Sequence, residues 1–453
     1  MKQLSLLDGP VEKVFFSYLM PSVSATLVTS IYILADTMMI GRGIGAAGIA
    51  ALNILLPLYS LYYGIGMMCG IGGSVLYGFS RGRGDTEEAG RYFATGAVMV
   101  ILAAVFALAA GHLFFGPITE LLGCTDSMRE YVASYGRILV SGAPVFMLSS
   151  FLQAFVRNDG APKLAMAGVI SGGVANVILD YVFIFLLDGG MGGAALATVT
   201  GTVLTVLILS SRFLSPENGL KPKRGISFKK AREIAGNGVA SFVLEMSNGL
   251  VMFLFNRQLL VYVGDTGVVV YGIISNAALV VTSISNGISQ AVQPLISANF
   301  GAGKKERIIQ AKRMGIRAAM TAGVIFTACG MIFPKQLTYL FLEPTEEILT
   351  MAVPAVRLYF LGFLACEWNI MCGTYFQATV RPALSLTITL LRGMVLNSIL
   401  VFILPVLFGV SGIWVTVAVS EFITAAAAVF FMKRDQMGNQ GKRTETGSRK
   451  ETL

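Results

Sequence analysis

The sequence predicts an all-α polytopic membrane protein: twelve transmembrane helices in two six-helix bundles, related by a pseudo-two-fold axis, with a central cleft between them. Three observations carry that expectation. The 453 residues are 55% hydrophobic and 13% charged, with a mean hydropathy of +0.72, against about 25% charged residues in an ordinary soluble domain. Apolar runs of about twenty residues or more, the length that crosses a bilayer core, recur along the whole chain. The second half also repeats motifs of the first half in the same order.

In the first half the spans fall at roughly 14–38, 50–78, 92–114, 131–156, 162–187 and 191–213. In the second half they fall at roughly 234–262, 267–298, 312–333, 351–378, 383–407 and 409–432. No short apolar run ends in a small-residue cleavage site, so the first span is expected to stay as a membrane helix. The longest internal polar connection, 211–232, contains Pro216, Asn218, Gly219 and Pro222 and separates spans six and seven. The expected organisation is an N-terminal lobe (1–213), a basic cytoplasmic linker (214–233), a C-terminal lobe (234–432) and a tail (433–453). The tail is polar and without apolar periodicity, and is expected to be disordered.

The repeat is detailed. Gly45-Ala-Ala-Gly48 matches Gly264-Asp-Thr-Gly267 at an offset of 219, and the same offset carries Gly82-Arg-Gly84 onto Gly301-Ala-Gly303. Further on, Gln153-Ala-Phe-Val-Arg157 matches Gln377-Ala-Thr-Val-Arg381. Two halves with an even number of spans, repeating in the same sense, imply an axis along the membrane normal and a cleft between lobes, which is transporter architecture. The glycine pairs lack the Gly-Lys-Ser/Thr ending and the preceding strand of a phosphate loop, and read as turn punctuation.

The net charge of +9 does not point to nucleic acid, because it sits in alternate loops. One side holds Arg81, Arg83, Arg157, Lys163, Arg212, the bases of 221–232, Lys304, Lys305 and the tail. The other holds little beyond Arg42, Arg129 and Lys335, against acids such as Glu120, Asp126 and Glu343. By the positive-inside bias both termini are expected to be cytoplasmic. The five cysteines (Cys69, Cys124, Cys329, Cys366, Cys372) lack zinc or disulfide-framework spacing and read as small hydrophobes. With one histidine, His112 at an expected interface, and no Gly-x-Ser-x-Gly or His-Glu-x-x-His motif, an enzyme is disfavoured.

Polar residues inside the spans need a reason, since an ionisable group in the bilayer costs a few kcal/mol on insertion scales. Asn176 and Asp180 lie four apart in span five, hence on one helix face, and Ala194 and Thr198 repeat that spacing in span six. An amide oxygen, a carboxylate, a hydroxyl and a freed carbonyl suit a hard cation or a proton carrier. Asp36, near the end of span one, reaches a similar depth; capping a helix end is the plainer alternative for both aspartates. The repeat sets Leu396, Leu400 and Val417 opposite Asn176, Asp180 and Thr198, so the site belongs to one lobe. Arg392 and Glu421 share a depth and read as a buried ion pair. Glu245 and Glu367 either present carboxylates to a cationic ligand in the cleft or are structural.

Pro21 with Asp36, Gly82-Arg-Gly-Asp85 with Gly301-Ala-Gly-Lys304, Arg157-Asn-Asp-Gly-Ala-Pro162, and the Asn176, Asp180, Ala194, Thr198 set together resemble the multidrug and toxic compound extrusion (MATE) family. The likeness is to its bacterial multidrug-export branch and runs to about Phe431. It implies cation-driven export of lipophilic, often cationic compounds by alternating access, across a bacterial plasma membrane. By that likeness Asp36, Asn176, Asp180 and Thr198 hold the coupling ion, Na⁺ or H⁺, with the Ala194 carbonyl. Some members instead use carboxylates on helices seven and ten, close to Glu245 and Glu367; a further polar position on helix four has Ser150 and Gln153 as its nearest matches. No cofactor beyond the coupling ion is expected. The expected partners are small lipophilic or cationic substrates and membrane lipids, and the chain is expected to act as a monomer. The nearest rival, a lipid-linked precursor flippase on the same scaffold, calls for a strongly basic central cavity, whereas the intramembrane bases here are few and partly matched by acids.

Overall fold

A computed structural model describes residues 5–448, with side chains as far as Asp435. The N-terminal half contributes α1 (Val11–Gly43), α2 (Ala46–Gly82), α3 (Thr86–Leu113), α4 (Asp126–Asn158), α5 (Pro162–Leu186) and α6 (Gly190–Leu214). The C-terminal half contributes α7 (Phe228–Tyr262), α8 (Asp265–Gly301), α9 (Lys305–Ile332), α10 (Glu346–Ala378), α11 (Pro382–Phe408) and α12 (Val410–Asp435). Each helix covers one expected span. Several start earlier than the apolar run because a polar stretch ahead of it, such as 228–233 or 305–311, is also helical. Short helices Phe115–Leu121 and Pro334–Phe341 join α3 to α4 and α9 to α10. The backbone of α12 continues as helix to Ser448, where the sequence reading placed a disordered tail; no proline interrupts 433–448. Residues 449–453 of that tail lie outside the described residues.

The lobe boundaries differ from the sequence order. Most of the N-terminal half packs on a core that includes Leu55, Tyr62, Phe146, Phe151 and Phe155. The C-terminal half packs around Phe255, Tyr271, Phe360 and Trp414. The first turns of α1, however, bury Val14, Phe15 and Tyr18 against Ile288, Val292 and Leu295 of α8. Reciprocally, Ile234 at the start of α7 is buried with Leu76 of α2 and Tyr92 of α3. Each half's first helix thus begins in the opposite lobe, at the end of the molecule that carries the basic loops.

Glycines make this crossing possible. Lipid tails are as apolar as leucine, so helices in a bilayer associate through close packing, which small residues permit. A Cβ on Gly82 would stand 2.0 Å from the Ala298 carbonyl oxygen, and one on its repeat partner Gly301 would stand 1.9 Å from that of Phe79. Ala298 and Phe79 are themselves related by the 219-residue offset, so the pseudo-two-fold axis runs between these contacts. On α7, a Cβ on Gly238 would stand 1.9 Å from the Met68 carbonyl oxygen. The first glycine of the Gly82/Gly84 pair and of the Gly301/Gly303 pair is therefore a helix-crossing residue. The second, Gly84 at φ +82° and Gly303 at φ +69°, makes the expected turn.

Polar contacts between the lobes sit at the same end: Glu88 with Lys230, Tyr92 Oη donating to Glu233 Oε2 at 2.6 Å, and Lys304 Nζ with Asp8 at 3.0 Å. Glycine packing and these contacts together close the basic end. Gly301→Val is expected to push α8 off α2, with overpacking costing about 1–3 kcal/mol. A cysteine at Gln293 should then become reactive towards an impermeant thiol reagent applied from the basic side; unchanged reactivity would show that the seal lies elsewhere.

Candidate functional site

Above the sealed end lies a cavity of about 1240 Å³ between the lobes, with Arg157, Gln290 and Gln293 at its floor and Phe341 and Leu342 towards the opposite end. Asp36, Asn176 and Thr198 line it from the N-terminal lobe, and Glu245, Arg392 and Glu421 line it from the C-terminal lobe.

The N-terminal cluster is assembled by three helices. α5 and α6 pack tightly through glycines: a Cβ on Gly201 would lie 2.6 Å from the Gly172 carbonyl oxygen and 3.0 Å from Asn176 Cβ. Asn176 Nδ2 donates to Thr198 Oγ1 at 3.4 Å, and Thr198 Oγ1 donates in turn to the Ala194 carbonyl at 3.1 Å. Asp180 is completely buried one turn beyond Asn176 and lies behind the cavity wall. Directly after it, Tyr181–Leu186 widens into a π-helical turn, a feature frequent at functional sites. α1 closes against that turn: a Cβ on Gly43 would meet Ile184 Cγ2 at 2.3 Å. α1 also brings Asp36, half-buried, near enough to Asp180 for the two carboxylates to repel one another.

Donor accounting defines what this cluster can hold. Asp36 Oδ1, both Asp180 carboxylate oxygens and Asn176 Oδ1 are buried without a hydrogen-bond partner. The Asn176 amide and the Thr198 hydroxyl are already spent on each other and on Ala194. What remains is a set of acceptor oxygens with no donor, costly to bury as two negative charges. A shared proton, or a hard cation that takes oxygen ligands, supplies the missing positive partner. Because Asp36 rides on α1 and Asp180 on α5, filling the site changes how strongly those helices attract.

All five N-terminal residues marked in the sequence come together here. The position on helix four is different. Ser150 bonds the Tyr63 carbonyl at 3.3 Å and Gln153 bonds Ser149 at 3.1 Å, so neither joins the cluster; Tyr135 is the α4 residue that lines the cavity together with Asp36, Asn176 and Thr198. A phenol in an apolar run reads as packing, which is why Tyr135 escaped notice.

In the C-terminal lobe Arg392 and Glu421 form the expected ion pair, with Arg392 Nη2 to Glu421 Oε1 at 2.8 Å. Asn369 Nδ2 donates to Glu421 Oε2 at 2.7 Å and Arg392 Nη2 to Cys366 Sγ at 2.9 Å. Glu245 and Glu367 are not joined by a hydrogen bond among the described residues. Glu367 is completely buried away from the cavity and accepts from Ser285 Oγ. Glu245 packs against α2, where a Cβ on Gly64 would stand 3.5 Å from Glu245 Cβ, and it lines the cavity together with Tyr59 and Tyr63 of that helix, whose rings stack at 6.1 Å and 11°. Among the described residues it has no ion-pair or hydrogen-bond partner. An unpaired carboxylate in a cavity that also holds aromatic rings suits an organic cation. The tyrosines were legible in principle, since spacing of four sets them on one face of α2.

A model of the MatE family matches residues 21–182 and 239–403, one stretch in each half. Over 442 residues the chain is 25% identical to the multidrug export protein MepA of Staphylococcus aureus (strain MRSA252), covering 95% of each chain. Over 446 residues it is 27% identical to MepA of Staphylococcus saprophyticus, covering 94% of this chain and 95% of that one. Its fold is similar to that of an outward-facing multidrug resistance MATE family transporter of the MOP superfamily, with TM-score 0.90, 22% identity and coverage of 98% and 99%. It is also similar to a MOP superfamily transporter from Pyrococcus furiosus whose binding pocket has reversed polarity, with TM-score 0.87, 21% identity and coverage of 96% and 98%.

Proposed function

The chain belongs to the MatE family, and on that footing we propose that it is a secondary antiporter that exports lipophilic cations in exchange for Na⁺ or H⁺. It acts as a monomer in a bacterial plasma membrane, with both termini and the basic end in the cytoplasm. The observation that carries this reading is the set of unpartnered acceptor oxygens on Asp36, Asn176 and Asp180, adjoining a cavity large enough for a drug-sized solute. The coupling ion enters from outside and is shared between Asp36 and Asp180, cancelling one of their two negative charges. α1 then repacks against α5, and the cavity loses the shape that held the solute. The solute's positive charge is taken by Glu245 between the lobes, with Tyr59 and Tyr63 giving it aromatic faces. A ligand moves such an equilibrium only through different affinity for the two states, so ion and solute exclude one another.

The cavity's bases argue against the flippase alternative. Arg392 is neutralised by Glu421, which leaves Arg157 as a single unpaired base, too little for a pyrophosphate-linked headgroup. The test is efflux of a fluorescent lipophilic cation from proteoliposomes under a Na⁺ gradient and, separately, a proton gradient. Efflux driven by one of them supports the antiporter and identifies its ion. Efflux that ignores both gradients refutes it.

A further inference from the structure

Arg157 ends α4 at the cavity floor. The sequence reading counted it among the loop bases, yet it faces the space between the lobes. Among the described residues no carboxylate pairs with it. The nearest acid in sequence, Asp159, is consumed by Arg81 at 2.6 Å and Arg212 at 2.8 Å. Its repeat counterpart, Arg381, is neutralised by Asp435. A guanidinium half-buried between the lobes without a counter-charge is costly, and the repeat shows that the fold can supply one.

The hydrogen bonds sharpen this. Arg157 Nη1 donates to Gln290 Oε1 on α8. A guanidinium can only donate, so the Gln290 amide must turn its oxygen to Arg157, which leaves its NH₂ outward. Gln290 Nε2 and the Arg157 Nε and Nη2 groups have no acceptor among the described residues and are not sealed from the cavity. The pair thus presents N–H donors and no acceptor, together with a full positive charge.

We propose that Arg157 and Gln290 form an anion-binding subsite at the cavity floor, which takes the carboxylate of amphiphilic substrates. Glu245, higher on the opposite wall, takes their cationic group, so the cavity accommodates zwitterions as well as simple cations. This rests on the transporter reading above.

The test is equilibrium binding of rhodamine B, a zwitterion with a free carboxylate, and of its cationic ethyl ester. The purified full chain is held in nanodiscs of neutral phosphatidylcholine, so that no anionic lipid competes, and fluorescence anisotropy reports binding without any need for transport. Arg157→Gln should weaken the acid roughly ten-fold or more, the scale of a lost charge-assisted hydrogen bond, and leave the ester unchanged. Arg157→Lys should restore part of the acid affinity. Gln290→Ala, which removes the strut between lobes but keeps the charge, should cost less than Arg157→Gln. Equal loss of both dyes in Arg157→Gln, or loss in Gln290→Ala matching it, would make Arg157 a strut and overturn the subsite, as would unchanged acid binding. If wild type bound the ester alone the subsite would fall and the cation site would stand; if it bound neither dye, the cavity reading would fall with it.

Discussion

Asp180→Asn should reduce gradient-driven efflux to the level of protein-free liposomes while leaving the protein as stable as wild type or more so. The two halves of that expectation come from the same geometry. Asparagine keeps the size of the side chain but carries neither the charge nor a titratable proton, so the coupling ion loses the ligand that distinguishes filled from unfilled sites. No hydrogen bond is broken, because neither Asp180 oxygen has a partner to lose. Removing a buried carboxylate that faces a second one at Asp36 relieves a cost. A fall of several degrees in melting temperature would show that Asp180 is a structural residue, and retained efflux in both Asp180→Asn and Asp36→Asn would sink the coupling mechanism.

Glu421→Ala should behave in the opposite way. Glu421 and Arg392 side chains are 5% and 12% exposed, and Glu421 also accepts from Asn369. Breaking a buried pair by removing one partner costs about 3–5 kcal/mol, because the other charge is left uncompensated. The variant should melt well below wild type in detergent. Arg392→Leu combined with Glu421→Leu should recover most of that loss, since a well-packed apolar pair often replaces a buried ion pair at little cost. If Glu421→Ala melted like wild type, the pair would not hold α10, α11 and α12 together, and Glu421 would become a candidate for substrate binding.

Hydropathy alone located every membrane-spanning helix, with the start up to seven residues late where the first turns are polar, as at Lys305, because lipid selects apolar runs without regard to their neighbours. The Asn176, Asp180, Ala194, Thr198 cluster was legible for a similarly local reason: spacing of four fixes which residues share a face. The repeat located Gly82 and Gly301, although their role in helix crossing depends on a partner backbone that no local pattern reveals. What stayed hidden was rotational facing and lobe membership. Glu245 and Glu367 look alike in sequence, yet one lines the cavity and the other is walled off against Ser285. Arg157 sits at a helix end, where a base ordinarily reads as solvated, and only the crossing of α8 over it turns it inwards. The reciprocal start of α1 and α7 in opposite lobes was equally out of reach, since apolar residues such as Phe15 and Ile234 suit lipid and protein alike.

The most direct test of the central claim, that coupling ion and solute compete through the two aspartates, is equilibrium binding of a lipophilic cation to purified protein at increasing Na⁺ and, separately, decreasing pH. Competition raises the apparent Kd of wild type as one of the two ions accumulates, and the effect disappears in Asp36→Asn and Asp180→Asn. A Kd indifferent to both ions, or an ion dependence that survives in both variants, would contradict it.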